Sequence, residues 1–103
     1  MPHIKKVIPM AESILQVEKR CFLSGRTDAL ERHHCFGGNP NRKLSEKYGL
    51  WVWLNHWHHN EPPAGAHHNK EVMDYLHREG QKRFEEIHGS RDDFMRIFGR
   101  NFL

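Results

Sequence analysis

The stretch Leu50-Trp51-Val52-Trp53-Leu54, which runs directly into Asn55-His56-Trp57-His58-His59-Asn60, decides how this chain folds. The first part is aromatic and apolar throughout, the composition of a strand buried on both faces. Asn55 is a good helix N-cap, so a short helix is predicted from His56 to about Glu61, where Pro62-Pro63 interrupts it. Going backward, Ala29 to Phe36 reads as a second strand that carries His33 and His34 near its end. Gly37-Gly38-Asn39-Pro40-Asn41 breaks regular structure, and Arg42 to Tyr48 forms one or two helical turns that Gly49 stops. The two strands then pair as a hairpin with a long, basic connection.

Further out, Met1 to Lys6 is polar and expected to fray, and Val7-Ile8-Pro9-Met10 is apolar but cut by a proline. Ala11 to Arg20 is assigned a short helix with Ile14, Leu15 and Val17 as its contacts. Cys21-Phe22-Leu23-Ser24-Gly25 reads as a tight turn, since Gly25 can take the positive φ that closes a knuckle-shaped bend. Toward the C-terminus, Asn69 caps a helix from Lys70 to His88, with Val72, Met73, Leu76, Gly80, Phe84 and Ile87 at three- and four-residue steps. Gly89 ends that helix. Ser90 and Asp93 form a capping box for a last helix whose apolar stripe is Phe94, Ile97 and Phe98.

At 103 residues the chain fits one domain, 1–103, with a core at about 21–69 and a helical tail at 70–103. Its formal charge is +3, a mild bias toward a polyanionic partner. Cys21 and Cys35, with no signal-like apolar region, suggest buried thiols in a reducing cytoplasm. No apolar run has the roughly eighteen residues a membrane span needs, so a membrane role is not expected.

Seven of the ten histidines lie between His33 and His68. Imidazole is the commonest ligand for a transition-type metal and the usual general base near neutral pH. Histidines at the end of one strand and on a helix after its partner can converge on one ion. Adjacent strand residues point to opposite faces, so His33 and His34 can divide the work between metal and water. A pair of histidines alone is more often a half-exposed strand end; the ordered set of further histidines turns the balance toward a site.

Leu30-Glu31-Arg32-His33-His34, the lead of Tyr48-Gly49-Leu50 into an apolar strand, and His58-His59-Asn60 just after it resemble the HNH endonucleases of the His-Me finger, or ββα-metal, class. The similarity is to small phage-type members and covers about Cys21 to Asn69. It implies an α+β fold: a ββα-metal hairpin-plus-helix core with flanking N- and C-terminal helices. It also implies a divalent-metal-dependent nuclease that hydrolyses DNA phosphodiester bonds, double-stranded DNA favoured, inside a bacterial host and with room for a partner protein to supply specificity. By position, the resemblance makes His34 the general base and His33, His59 and His67 the ligands of one divalent ion of the Mg²⁺, Mn²⁺, Zn²⁺ or Ni²⁺ class.

Two departures stand out. Relatives often hold a structural zinc with two Cys-x-x-Cys knuckles, whereas the equivalent positions here are Cys21, Ser24, Asn55 and His58; Ser and Asn are poor zinc ligands, so that zinc is expected to be absent. The family's middle asparagine falls near Gly49 or Leu50, which leaves Asn39, Asn41 or Asn60 to replace it in space. These losses give the rival reading: a non-catalytic HNH-derived DNA-binding or protein-interaction module.

Arg42, Lys43 and Lys47 are candidate phosphate contacts, diluted by Glu46; a solvated loop explains them as well. Trp51, Trp53 and Trp57 could stack bases but are expected in the core, substituting for the missing zinc, since Trp51 and Trp53 share a strand face. His56 and His68 are read as neighbours of the ligands, and His3, His77 and His88 as surface residues.

Overall fold

The computed structural model describes residues 11–63 and 65–103, so the expectations for Met1 to Met10, His3 included, lie outside the described residues. The fold is a small α+β arrangement of one two-stranded antiparallel sheet and several helices. Strand β1 (Leu30–His34) leads through helix α1 (Asn41–Tyr48) to strand β2 (Trp51–Asn55), which passes without a loop into the one-turn helix α2 (His56–His59). A 3-10 turn (Ala66–His68), a long helix α3 (Lys70–Ile87) and a final helix α4 (Arg91–Phe98) follow.

The strand register pairs His33 with Val52 and His34 with Trp51. With side chains alternating across the sheet, Glu31, His33, Val52 and Leu54 share one face, and Arg32, His34, Trp51 and Trp53 share the other. Val52 and Leu54 are fully buried with Cys21, Ala66 and Leu76. Trp51 is buried and Trp53 half-buried, but Trp57, expected in the core with them, sits on the one-turn helix and is 53% exposed. The Trp51 and Trp53 face is therefore opposite to the one packed on Cys21, and they do not fill the knuckle; Val52 and Leu54 do that.

Ala11 to Arg20 is not helical. Instead it lies along the outer edge of β2 and supplies the partners a third strand would give: Ile14 N–H donates to Gly49 O at 2.9 Å, Ser13 Oγ donates to Trp51 O at 2.6 Å, and Trp53 N–H donates to Gln16 Oε1 at 2.6 Å. An open strand edge presents unpaired backbone groups, and satisfying these outweighs weak local helix propensity. Val17, expected as a core contact, points fully into solvent.

The larger core joins Cys35, Phe36 and Leu50 to Phe84 of α3 and to Phe94 and Phe98 of α4. The aromatic rings meet mostly edge-on or tilted, as with Phe36 and Phe94 at 5.1 Å between centroids. Gly80 lets α3 come this close. A Cβ there would sit 3.0 Å from both Cys35 Cβ and a ring carbon of Phe36, so an alanine would force the helix away from the end of β1. Gln81, also fully buried, ties down the C-terminal residues: its Oε1 accepts from Phe102 N–H at 2.7 Å and its Nε2 donates to Asn101 Oδ1 at 2.8 Å.

The expected capping holds. Asn55 accepts from Trp57 N–H, Asn69 accepts from Val72 N–H, and Ser90 with Asp93 forms a reciprocal capping box. Helix α2 stops at His59, two residues short of the expected end. Both cysteines are free and buried, and Gly25 has φ +80° in the turn after Cys21. Among the described residues no helix is long and apolar enough to cross a membrane.

Candidate metal centre

His33, His59 and His67 come together in space, with one nitrogen of each within 4.8 Å of the others. Strand, helix and turn each contribute one ring. His33 projects from the buried face of β1, and α2 places His59 over it with ring centroids 5.2 Å apart. Asn55 sets the position of α2: it is fully buried, its Nδ2 donates to Asp28 O at 2.8 Å, and its Oδ1 accepts from Trp57 N–H at 3.0 Å. The 3-10 turn, anchored by buried Ala66, brings in His67 with its ring centroid 5.3 Å from that of His33.

Both ring nitrogens of His33 are buried, and neither has a hydrogen-bond partner among the described residues. A buried imidazole without partners carries an unrepaid desolvation cost, which a metal ion would remove. Burial, reinforced by His59 and His67 nearby, holds its pKa down to about 3, so the ring is neutral and has a lone pair to offer at physiological pH. His67 is also held below the ordinary histidine range, first by burial and then by His59.

The tautomer of His59 follows from its neighbour. Glu31 Oε1 lies 2.9 Å from His59 Nδ1, so Nδ1–H donates to the carboxylate and Nε2 keeps its lone pair. That Nε2 lies 3.0 Å from His67 Nε2. Two nitrogens each about 2.1 Å from one ion, the usual metal–imidazole distance, are about 3.0 Å apart when they subtend roughly a right angle. The donor set thus fits a transition-type divalent ion.

Glu31 was not singled out by the sequence reading, although it lies two residues from His33 on the same strand face. Its other oxygen accepts from His56 Nδ1–H at 2.9 Å, and Asn60 Nδ2 donates to Oε1 at 2.9 Å. Hydrogen bonds from His56 and His59 hold the Glu31 pKa below the usual carboxylate range. His56 is bracketed by Glu31 and by Glu61, 2.9 Å from its Nε2, and these two bonds raise its pKa. It lies beside the three-histidine group and outside it, and its nitrogens face carboxylates.

His34 lies on the opposite sheet face from His33, yet both line one cavity of about 300 Å³ with Arg32, Gly37, Gly38, Arg42, His59 and His67. His34 Nε2–H donates to Glu46 Oε1 at 3.0 Å, which leaves Nδ1 as the basic nitrogen. Helix α1 supplies Glu46, and Ser45 pins that helix to the strand end by accepting from Phe36 N–H at 3.2 Å and donating to Phe36 O at 3.0 Å. Arg32 Nη1 donates to both Glu46 oxygens, at 2.7 and 3.0 Å. Burial favours the neutral form of Glu46, but the bonds from Arg32 and His34 outweigh it and keep the pKa low.

The orienting partner of His34 is therefore a glutamate, and none of the three asparagines considered takes that place. Asn41 Nδ2 is directed to Phe98 O, and Asn60 serves Glu31. Glu46 also faces the sheet and so does not dilute the basic residues of α1. Of those, Arg42 lines the cavity; Lys43 and Lys47 are exposed and do not line it, Lys47 lying 5.4 Å from the ring centre of Tyr48. His77, expected at the surface, is half-buried and stacked on Phe36. His88 is exposed, as expected.

The turn at Cys21 has the form of a knuckle, with Gly25 N–H donating to Cys21 O at 2.8 Å and Ser24 N–H donating to Cys21 Sγ at 3.4 Å. Burial raises the thiol pKa, but hydrogen bonds from Asn55, Ser24 and Leu23 lower it further, for a net decrease. Comparison with family models, curated proteins and solved structures gives no match for this chain. Its reading therefore rests on this geometry.

Proposed function

We propose that the chain is a divalent-metal-dependent DNA endonuclease of the HNH, ββα-metal kind. The observation that carries this reading is the pairing, in one cavity, of two different imidazole environments. The nitrogens of His33, His59 and His67 converge, those of His33 without any hydrogen-bond partner among the described residues, while His34 is held by a carboxylate in the manner of a general base.

In this reading His33, His59 and His67 hold the ion, and Glu31 fixes the ring of His59. The ion, when bound, supplies a Lewis acid for a phosphate oxygen and for the charge that builds on the leaving group. His34 Nδ1 takes a proton from the attacking water, and Glu46 stabilises the imidazolium so formed. Arg42 lies where it can neutralise the scissile phosphate's flank, with Lys43 and Lys47 in reserve on the outer face of α1.

The test is a cleavage assay on plasmid DNA across several divalent ions, beside a gel-shift assay. The wild type is expected to nick or cut. His34→Ala should abolish cutting while metal binding, read by calorimetry, stays as in the wild type. Cutting that persists unchanged in His34→Ala would remove His34 as the base, and DNA binding without cutting under every ion would favour the non-catalytic module.

A further inference from the structure

The cavity that holds the histidines does not end at them. It shares Gly37 with a second cavity of about 340 Å³, lined by Phe36, Met73, His77, Arg100 and Phe102. That one shares His77, Arg100 and Phe102 with a third, of about 290 Å³, to which Lys70 and Arg78 also contribute. Nothing fills the space over Gly37, where a Cβ would meet no atom within 4 Å. The three cavities thus adjoin through shared lining residues as a stepped depression, in a row from the histidine cluster, past the end of β1, to the side of α3 and the C-terminal residues.

Cations outnumber anions in it. Arg42, Arg78, Arg100 and Lys70 stand against Asp74, which is already paired with Lys70 at 2.7 Å, and the carboxylate of Leu103. Among the described residues Arg42, Arg78 and Arg100 enter no ion pair. The walls between them are flat and aromatic. His77 stacks on Phe36 at 5.4 Å and 10°, Phe102 meets His77 at 4.5 Å and Phe36 at 5.1 Å with its ring tilted by 46° and 42°, and the Arg100 guanidinium lies 4.4 Å from the centre of the Phe102 ring. Gln81 holds the Phe102 backbone in place, so this platform is set before any ligand arrives.

We infer that this depression is the seat of the nucleic-acid strand on one side of the scissile phosphate: Arg100 and Arg78 take backbone phosphates, and the Phe102–His77 platform takes the face of a base or sugar. Positive groups spaced along a groove with aromatic faces between them are what an extended polyanion of stacked bases requires. A compact anion would need its cations gathered at one point. The identity of the polyanion rests on the nuclease reading; the existence of the track rests on the cavities and charges alone.

The experiment measures binding of a fluorescein-labelled DNA duplex by anisotropy at several salt concentrations, in a His34→Ala background so that the probe stays intact. Arg100→Gln is expected to weaken binding several-fold and to lower the slope of log affinity against log salt by about one. Gly37→Leu, which narrows the passage without a backbone penalty, should weaken binding too, while calorimetry shows metal affinity unchanged. Arg26→Gln, at a turn outside these cavities, is the control and should bind as the parent does.

If the parent binds DNA but Arg100→Gln and Gly37→Leu both match it, the track is wrong and the nuclease reading survives. If the parent binds and both variants lose affinity, yet the His34-containing protein never cuts, the track stands and catalysis falls. A parent that binds no DNA overturns both.

Discussion

The carboxylate of Glu31 lies 2.9 Å from His59 Nδ1 and, through its other oxygen, 2.9 Å from His56 Nδ1. One side chain thereby fixes the ring of a candidate ligand and is itself fixed by a second histidine. A carboxylate behind a metal-bound imidazole sets the tautomer and raises ligand basicity, and its loss typically costs 10- to 100-fold in metal affinity. Glu31→Ala should weaken binding of Zn²⁺ or Mn²⁺ by about that factor in calorimetry. Glu31→Gln, which keeps an oxygen for the Nδ1–H, should recover part of the loss. Unchanged affinity in Glu31→Ala would mean that His59 is not held through this carboxylate when it binds an ion.

Glu46 plays the corresponding part for His34, and its effect should be read in rate rather than in metal affinity. On the nuclease proposal, a neutral amide in its place would leave the His34 imidazolium without its stabilising charge, and a flipped amide can hold the wrong tautomer. In Glu46→Gln, DNA cleavage is expected to fall by roughly 10²-fold or more, the scale of a general-base contribution. Metal binding should remain as in the wild type. A variant that cuts at full rate would show that His34 needs no carboxylate behind it.

The sequence carried the local signals well. Gly49 stops α1, and Asn55, Asn69 and Ser90 cap helices where their side chains predict, because capping depends on residues within one turn. Residue type and order along strand and helix marked a dense histidine stretch, and the resemblance to the HNH endonucleases, not local physics, picked His33, His59 and His67 from its seven rings. What sequence alone did not show was long-range. Ser13 and Gln16 are spent on the edge of β2, 38 and 37 residues away in sequence, and no local pattern marks that use. Glu31 and Glu46 read as ordinary surface acids until the register places them beside His59 and His34. His77 reads as polar, yet Phe36 and Phe102 flank it only once α3 has packed on the end of β1.

His33 should make the stability of the metal-free protein depend on pH. Its folded pKa is about 3, depressed by burial and by His59 and His67, against an ordinary value of 6.5. As pH falls below 6.5 the unfolded chain takes up a proton that the folded chain refuses. Stability is therefore fully present above about pH 6.5 and is lost as pH falls toward 3, at up to about 1.4 kcal/mol per unit. His56, whose pKa is raised by Glu31 and Glu61, works in the opposite sense, so the clean measurement is a difference. Between pH 6.5 and 5, where the carboxylates respond alike in both proteins, urea unfolding of the wild type should lose about 1.6 kcal/mol more than that of His33→Gln. Parallel pH profiles for the two proteins would show that the ring is not held neutral by the fold.

The donor set also bears on which ion is taken. Three imidazoles and no carboxylate in the histidine group suit Zn²⁺ or Ni²⁺ better than Mg²⁺, which demands oxygen ligands and gives up water reluctantly. Because the histidines come from a strand, a helix and a turn, an ion that joins them also clamps those elements, and binding should appear as stability. At a free ion concentration 100 times its Kd the gain is about 2.7 kcal/mol. The thermal midpoint should therefore rise by several degrees with Zn²⁺ or Ni²⁺, return on addition of a chelator, and hardly move with the same concentration of Mg²⁺. In His59→Ala and in His67→Ala the rise should be largely lost. An equal rise with Mg²⁺, or a rise with Zn²⁺ that survives both substitutions, would place the ion somewhere other than between these three rings.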